Sequence, residues 1–230
     1  MEKEQKREIR QQKNQALRDS GIYTFGGELF SAITHGITAL AAVAVLVISI
    51  ILAVRHGDGA MDIVAVSIFG SMAFLGFLVS TIYHSLPIST GKRCLRVLDH
   101  CSIYFIIAGT YTPFSLLGIG GWVGWVIFGA NWAMGLTGAT LTAVNREKFK
   151  KVAFVLYLVM GWMAVIVAPI LIINMGWGAP FWLLLGGGLA YTIGAVVYKM
   201  KGKYIHGIWH LFTLAGLILQ FLSIMFIIIR

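Results

Sequence analysis

Ser80 and His84, His206 and His210, and Asp99 between the two pairs are the residues of this chain whose types and spacing suit chemistry. Residues four apart on a helix share one face, a turn apart, so His206 and His210 can both reach one ion, an arrangement familiar from zinc ligands. Ser80 and His84 point the same way by the same rule. Three neutral imidazoles plus a water form an open zinc site, in which the metal lowers the pKa of the water towards neutrality. Asp99 beside that water can hold it and accept its proton. Ser80, a turn deeper than His84, can orient the water or donate to a developing oxyanion. Cys94 and Cys101 have no partner at ligand spacing and are expected to be inert thiols in a reducing compartment.

Plainer readings stand beside these. Asp99 also suits the positive end of a helix, or a pair with Arg96. His100 points roughly 100° away from Asp99 and reads as a packing or hydrogen-bonding residue. His35 reads as a donor behind the ligands or as interhelical glue, and Glu28 as a cap or a partner for a basic loop. Glu28 and His35 are the candidates for supporting the site from behind.

These residues lie in very apolar sequence, where ionisable side chains are expensive and point to function. Hydrophobic residues make up 58% of the chain and charged residues 12%, with a mean hydropathy of +0.84. A soluble domain of this length cannot bury so much apolar sequence, so the expectation is an all-α integral membrane protein of the cell membrane. Runs of about 20 apolar residues predict seven transmembrane helices. They span Leu29–Val54, Asp62–Leu86, Leu98–Leu117, Trp122–Val144, Val152–Ile173, Pro180–Lys199 and Tyr204–Ile229. The expected organisation is a polar cytoplasmic segment, 1–28, with no cleaved signal peptide, followed by one seven-helix domain, 29–230. Pro113 and Pro169 are expected to kink their helices, and the Gly186–Gly188 run to allow close packing.

Sixteen lysines and arginines fall before the first segment and in alternate loops, leaving only Arg55 and Arg230 for the other side. That bias predicts a cytoplasmic amino terminus and an outside carboxyl terminus. The net charge of +9 is thereby spread over juxtamembrane loops that touch anionic lipid, which argues against nucleic acid as a partner. Trp122, Trp125, Trp177 and Trp182 are read as an interfacial aromatic belt on the outer side. With this topology Glu28, His35, Ser80, His84, Asp99, His206 and His210 share a slab about 10 Å thick near the cytoplasmic face.

The combination of Glu28…Thr34-His35-Gly36, Ser80-x-x-x-His84, Asp99 and His206-x-x-x-His210 resembles the hemolysin III family, the bacterial members of the progestin and adipoQ receptor group. The resemblance covers about Tyr23 to Arg230. It implies seven helices with the amino terminus inside, and zinc held by His84, His206 and His210. It further implies that Asp99 binds the zinc-bound water, with Ser80 close by. Animal relatives look like receptors with hydrolytic activity on ceramide-type lipid amides. Similar bacterial proteins are connected with membrane-lipid homeostasis.

Three functions follow as expectations. The first is a zinc-dependent hydrolase, or a sensor keeping that site, with membrane lipids as partners and a lipid amide or ester reached from the cytoplasmic leaflet as substrate. The second is a pore-forming cytolysin. The third is a proton or cation transporter, against which the absence of ionisable groups from the outer half argues.

Overall fold

A computed structural model of the chain describes residues 4–5, 7–9, 11–12, 15, 24–166, 168–200, 202 and 204–229. Lys3, Lys6, Arg10, Lys13, Arg18, Lys201, Lys203 and Arg230, which entered the charge argument, lie outside the described residues. So does most of the expected polar segment 1–28.

Helices begin where a side chain can accept from the free N–H groups of the first turn. Thr24 Oγ1 accepts from Gly27 N at 3.2 Å and opens α1, Phe25–His56. A short turn leads to α2, Ala60–Ser85. Ser89 Oγ accepts from Lys92 N at 3.1 Å and opens α3, Thr90–Pro113. That helix continues as a π-helical stretch, Phe114–Ile119. The next element, α4 (Gly121–Gly161), has two arms that meet at Asn145, where φ is −159° and ψ 87°. Asn145 Oδ1 accepts from Lys148 N at 3.0 Å and so caps the second arm. Short α5 (Met163–Ile166) and α6 (Ala168–Met175) lead to α7 (Ala179–Tyr198) and α8 (Ile205–Ile228). There is no strand among the described residues.

These caps correct several expectations. The third helix starts at Thr90, well before Leu98, because Ser89 caps a polar turn that hydropathy alone does not see. Asp99 therefore sits in the middle of α3, beyond the first turn within which a helix end stabilises a carboxylate. The basic stretch 146–151, expected as a loop, is helical after one bend. Pro113 stands where α3 passes into its π-helical stretch, the residue whose ring removes a helical hydrogen bond. Pro169 is the second residue of α6, where a missing N–H leaves no bond broken. Of the glycine run, only Gly187 is a close approach: a Cβ there would lie 2.6 Å from Gln220 Nε2, whereas nothing lies within 4 Å of Gly188.

The helices turn their polar side chains inward, among a largely apolar core, and present apolar side chains outward. On α1, Ser31, Thr34, His35, Thr38 and Ser49 are buried, while Ile33, Ile37, Leu40, Val47 and Val54 are exposed. Hydroxyls on such faces bond to their own helix, as Thr38 does to Thr34 O at 2.9 Å and Thr110 to Ile106 O at 2.8 Å. Lipid offers no competing partner, so a hydroxyl is best satisfied from within; Ser49 Oγ has no partner among the described residues. Among the described residues, five helices are long and apolar enough to cross a membrane: α1, α2, α3 with its π-helical extension, α7 and α8. Sequence neighbours pack in turn, and α8 returns against α1 to close the bundle.

Specific contacts hold Lys92, Arg146 and Lys199 at one end, opposite Arg55 in the last turn of α1. Lys92 on α3 bonds Glu28 on α1 and the last carbonyls of α2. Arg146, just past the bend of α4, bonds His100 on α3 at 2.8 Å. Lys199, after α7, lies over the Phe154 ring at 3.7 Å from its centroid. Trp122, Trp125, Trp177 and Trp182 are all more than half exposed, and the free thiols Cys94 and Cys101 are respectively exposed and buried.

Candidate metal centre

His206 and His210 open α8, and Gly207 between them decides how near α1 can come. A Cβ on Gly207 would sit 2.2 Å from Phe30 Cδ1, so the close approach needs glycine. The approach brings Ser31 and Thr34 of α1 to His210. His210 Nδ1 lies 3.2 Å from Ser31 O and 3.0 Å from Thr34 Oγ1. A carbonyl can only accept, so the ring proton is on Nδ1 and the Nε2 lone pair is left for another partner.

His84, the penultimate residue of α2, faces them. Its Nε2 is 3.1 Å from His206 Nε2, and its Nδ1 is 3.4 Å from Glu28 Oε2. One ligand atom each from His84, His206 and His210 lies within 4.8 Å of the other two. Two nitrogens bound tetrahedrally at 2.0–2.1 Å from a zinc ion would be roughly 3.3 Å apart, close to the spacing of the His84–His206 pair. An all-imidazole set with His84 and His210 buried and His206 half-buried, one member with Nδ1 already donating and another facing a carboxylate, fits a metal ion. Imidazole donors suit zinc, copper, iron or nickel.

His35 is 6% exposed and lies face to face with His210, ring centroids 3.3 Å apart at 16°. Neither of its nitrogens has a hydrogen-bond partner among the described residues, nor does Ser80 Oγ. It acts as a plate that fixes the plane of the His210 ring. Asp99, Ser80, His206 and His210 line one cavity of about 230 Å³, otherwise walled largely by apolar residues such as Ile103 and Trp209. The same cavity is lined as far along α8 as Gln220, roughly 20 Å of helix from His206. His100 lines the same cavity, with Nδ1 3.8 Å from Asp99 Oδ2, but its nitrogens are engaged elsewhere. Its Nδ1 donates to Arg96 O at 2.8 Å and its Nε2 accepts from Arg146 at 2.8 Å, so neither nitrogen is left for a ligand.

Two residues of this site were not singled out from sequence. Thr34, seen only as part of the Thr34-His35-Gly36 stretch, carries the hydroxyl that meets His210 Nδ1. Lys92 was counted as a head-group charge but is 4% exposed. Its Nζ donates to Glu28 Oε2, and to Tyr83 O and Leu86 O at 2.9 Å each. A signal was present: a lysine in a first helical turn opposes the helix dipole and so calls for a dedicated partner.

Fold and site together define an α-helical, multi-pass membrane protein with a histidine cluster buried in its bundle. The model of the family described as Haemolysin-III related matches residues 23–221, and the chain belongs to that family. It is 37% identical to "Hemolysin-3" of Bacillus cereus over 200 residues, covering 86% of this chain and 90% of that protein. It is likewise 37% identical to "Hemolysin-3 homolog" of Bacillus subtilis (strain 168) over 206 residues, 89% of this chain and 96% of that one. The "Monocyte to macrophage differentiation factor" of Homo sapiens is 29% identical over 182 residues, 74% of this chain and 73% of that protein.

Proposed function

We propose that the chain is a zinc-dependent membrane hydrolase acting on a lipid amide or ester that enters from the cytoplasmic leaflet. The observation that carries this reading is the convergence of His84, His206 and His210, with ligand atoms within 4.8 Å of one another, beside a largely apolar cavity that Asp99 and Ser80 also line. Zinc, when bound, supplies a Lewis acid and a water of near-neutral pKa. His84, His206 and His210 would hold it. Asp99 takes the proton from the attacking water and gives it to the leaving amine or alcohol as the C–N or C–O bond breaks, and Ser80 donates to the developing oxyanion. The apolar cavity receives a lipid tail and keeps bulk water from the reacting carbonyl.

The two arms of α4, the second continued by α5 and α6, complete a seven-crossing domain, 29–230, with the five apolar helices. The amino-terminal segment 1–28 is cytoplasmic and the carboxyl terminus outside. The clustering of Lys92, Arg93, Arg96, Arg146, Lys148, Lys150, Lys151 and Lys199 at the histidine end supports this orientation.

The test uses the purified full-length chain in lipid nanodiscs with fluorescent lipid amides and esters. The wild type releases fatty acid, and Asp99→Asn keeps its metal but loses turnover by about 10²–10⁴-fold. Equal turnover by the wild type and the His206→Ala/His210→Ala protein would overturn the reading. The name of the Bacillus cereus relative, "Hemolysin-3", favours one alternative, a cytolysin. Dye release from liposomes that persists in the double-histidine variant would select it.

A further inference from the structure

Lys92 is the feature that neither the ligand set nor the proposed hydrolysis uses. It is buried, and an ammonium away from water needs all three of its protons accepted. Three acceptors surround it, from two stretches of chain. Tyr83 O and Leu86 O, at 2.9 Å each, belong to the end of α2, where helical carbonyls lack intrahelical partners. The third is Glu28 Oε2, in the first turn of α1. The same Glu28 oxygen is 3.4 Å from His84 Nδ1, a nitrogen with no hydrogen-bond partner among the described residues. His84 itself is the neighbour of Tyr83, whose carbonyl Lys92 holds.

We infer that Lys92 is a positioning residue of the metal centre, which fixes the Glu28 carboxylate against His84 Nδ1 and so aims His84 Nε2 at the shared ion. One ammonium fixes both sides of the His84 ring, through the carboxylate facing its Nδ1 and through the backbone that carries it. A carboxylate behind a ligating histidine selects the tautomer with the proton on Nδ1 and raises the ligand's basicity. A carboxylate free to swing would do neither. A bare ammonium alone would repel a cation, so its use near a metal makes sense only with Glu28 between them. Arginine, with its planar fork, cannot place three protons on these three acceptors in the same way.

The inference rests on the metal-centre reading, and its test separates the two. Zinc ion is the probe, titrated into the full-length chain in detergent against a chromophoric chelator of known affinity. Lys92→Met and Glu28→Gln should each weaken zinc binding by about 10–100-fold, as loss of a ligand's outer partner does. The double variant should be no weaker than the weaker single, because Lys92 acts through Glu28. A wild type without zinc sinks the metal centre itself. A wild type that binds zinc, with Lys92→Met binding equally well or with losses that multiply in the double variant, overturns the inference alone. Should Lys92→Met fail to fold, ¹⁵N-histidine spectra of Lys92→Arg decide. Shifted His84 ring nitrogens with unmoved His100 nitrogens support the positioning role, and unmoved His84 nitrogens overturn it.

Discussion

Two histidine regions at the same end of the bundle differ in what their ring nitrogens have left to give. His100 sits between α3 and α4 with Nδ1 on Arg96 O and Nε2 on Arg146, both at 2.8 Å. By contrast, His84 and His210 have Nδ1 turned to α1, towards Glu28 and the Ser31–Thr34 turn respectively. His84 Nε2 meets His206 Nε2 at 3.1 Å. The difference teaches that burial in the membrane does not make a histidine a ligand. A histidine is available as a ligand when one nitrogen is turned to the protein and the other faces further imidazoles. His100, with both nitrogens used, is a strut between helices.

Removing the cluster should produce the largest effect. His206→Ala/His210→Ala is expected to bind no zinc at all by elemental analysis, while its helical circular dichroism stays that of the wild type. Gly207→Ala should come next. The added methyl must displace Phe30 and with it the α1 face that anchors His210, and a zinc affinity lower by about 10–100-fold in chelator competition is expected. Thr34→Val removes one of two acceptors for His210 Nδ1 and leaves Ser31 O in place. The expected loss is smaller, about 10-fold, with stability lower by about 1 kcal/mol in thermal unfolding. His100→Gln closes the series: zinc affinity should not change, and only the α3–α4 contact weakens. A change in zinc affinity for His100→Gln as large as that for Thr34→Val would erase the distinction between the regions.

Much of this was legible in the chain, for identifiable reasons. The apolar runs of α1, α2, α7 and α8 announce themselves because lipid-facing positions such as Leu40 and Ile218 must be apolar. The i,i+4 spacing of His206 and His210 announces the pair that converges on His84. Helix starts were less legible where a cap lies in polar sequence, as Ser89 does, and this placed Asp99 too near a helix end. The bend at Asn145 was hidden because its cap lies inside a basic stretch that reads as loop. Thr34 and Lys92 were missed because their roles depend on tertiary partners, 176 residues away for Thr34 and 64 away for Lys92. A sequence pattern reports faces and spacings but not which face meets which.

The most direct test of the central claim is the metal itself: X-ray absorption at the zinc edge on the full-length chain purified without added metal. One zinc per chain with about three imidazole nitrogens at 2.0–2.1 Å and no sulfur neighbour is the predicted result, with the nitrogen shell lost in His206→Ala/His210→Ala. A metal-free wild type, or a zinc whose shell is unchanged in that double variant, would contradict the account.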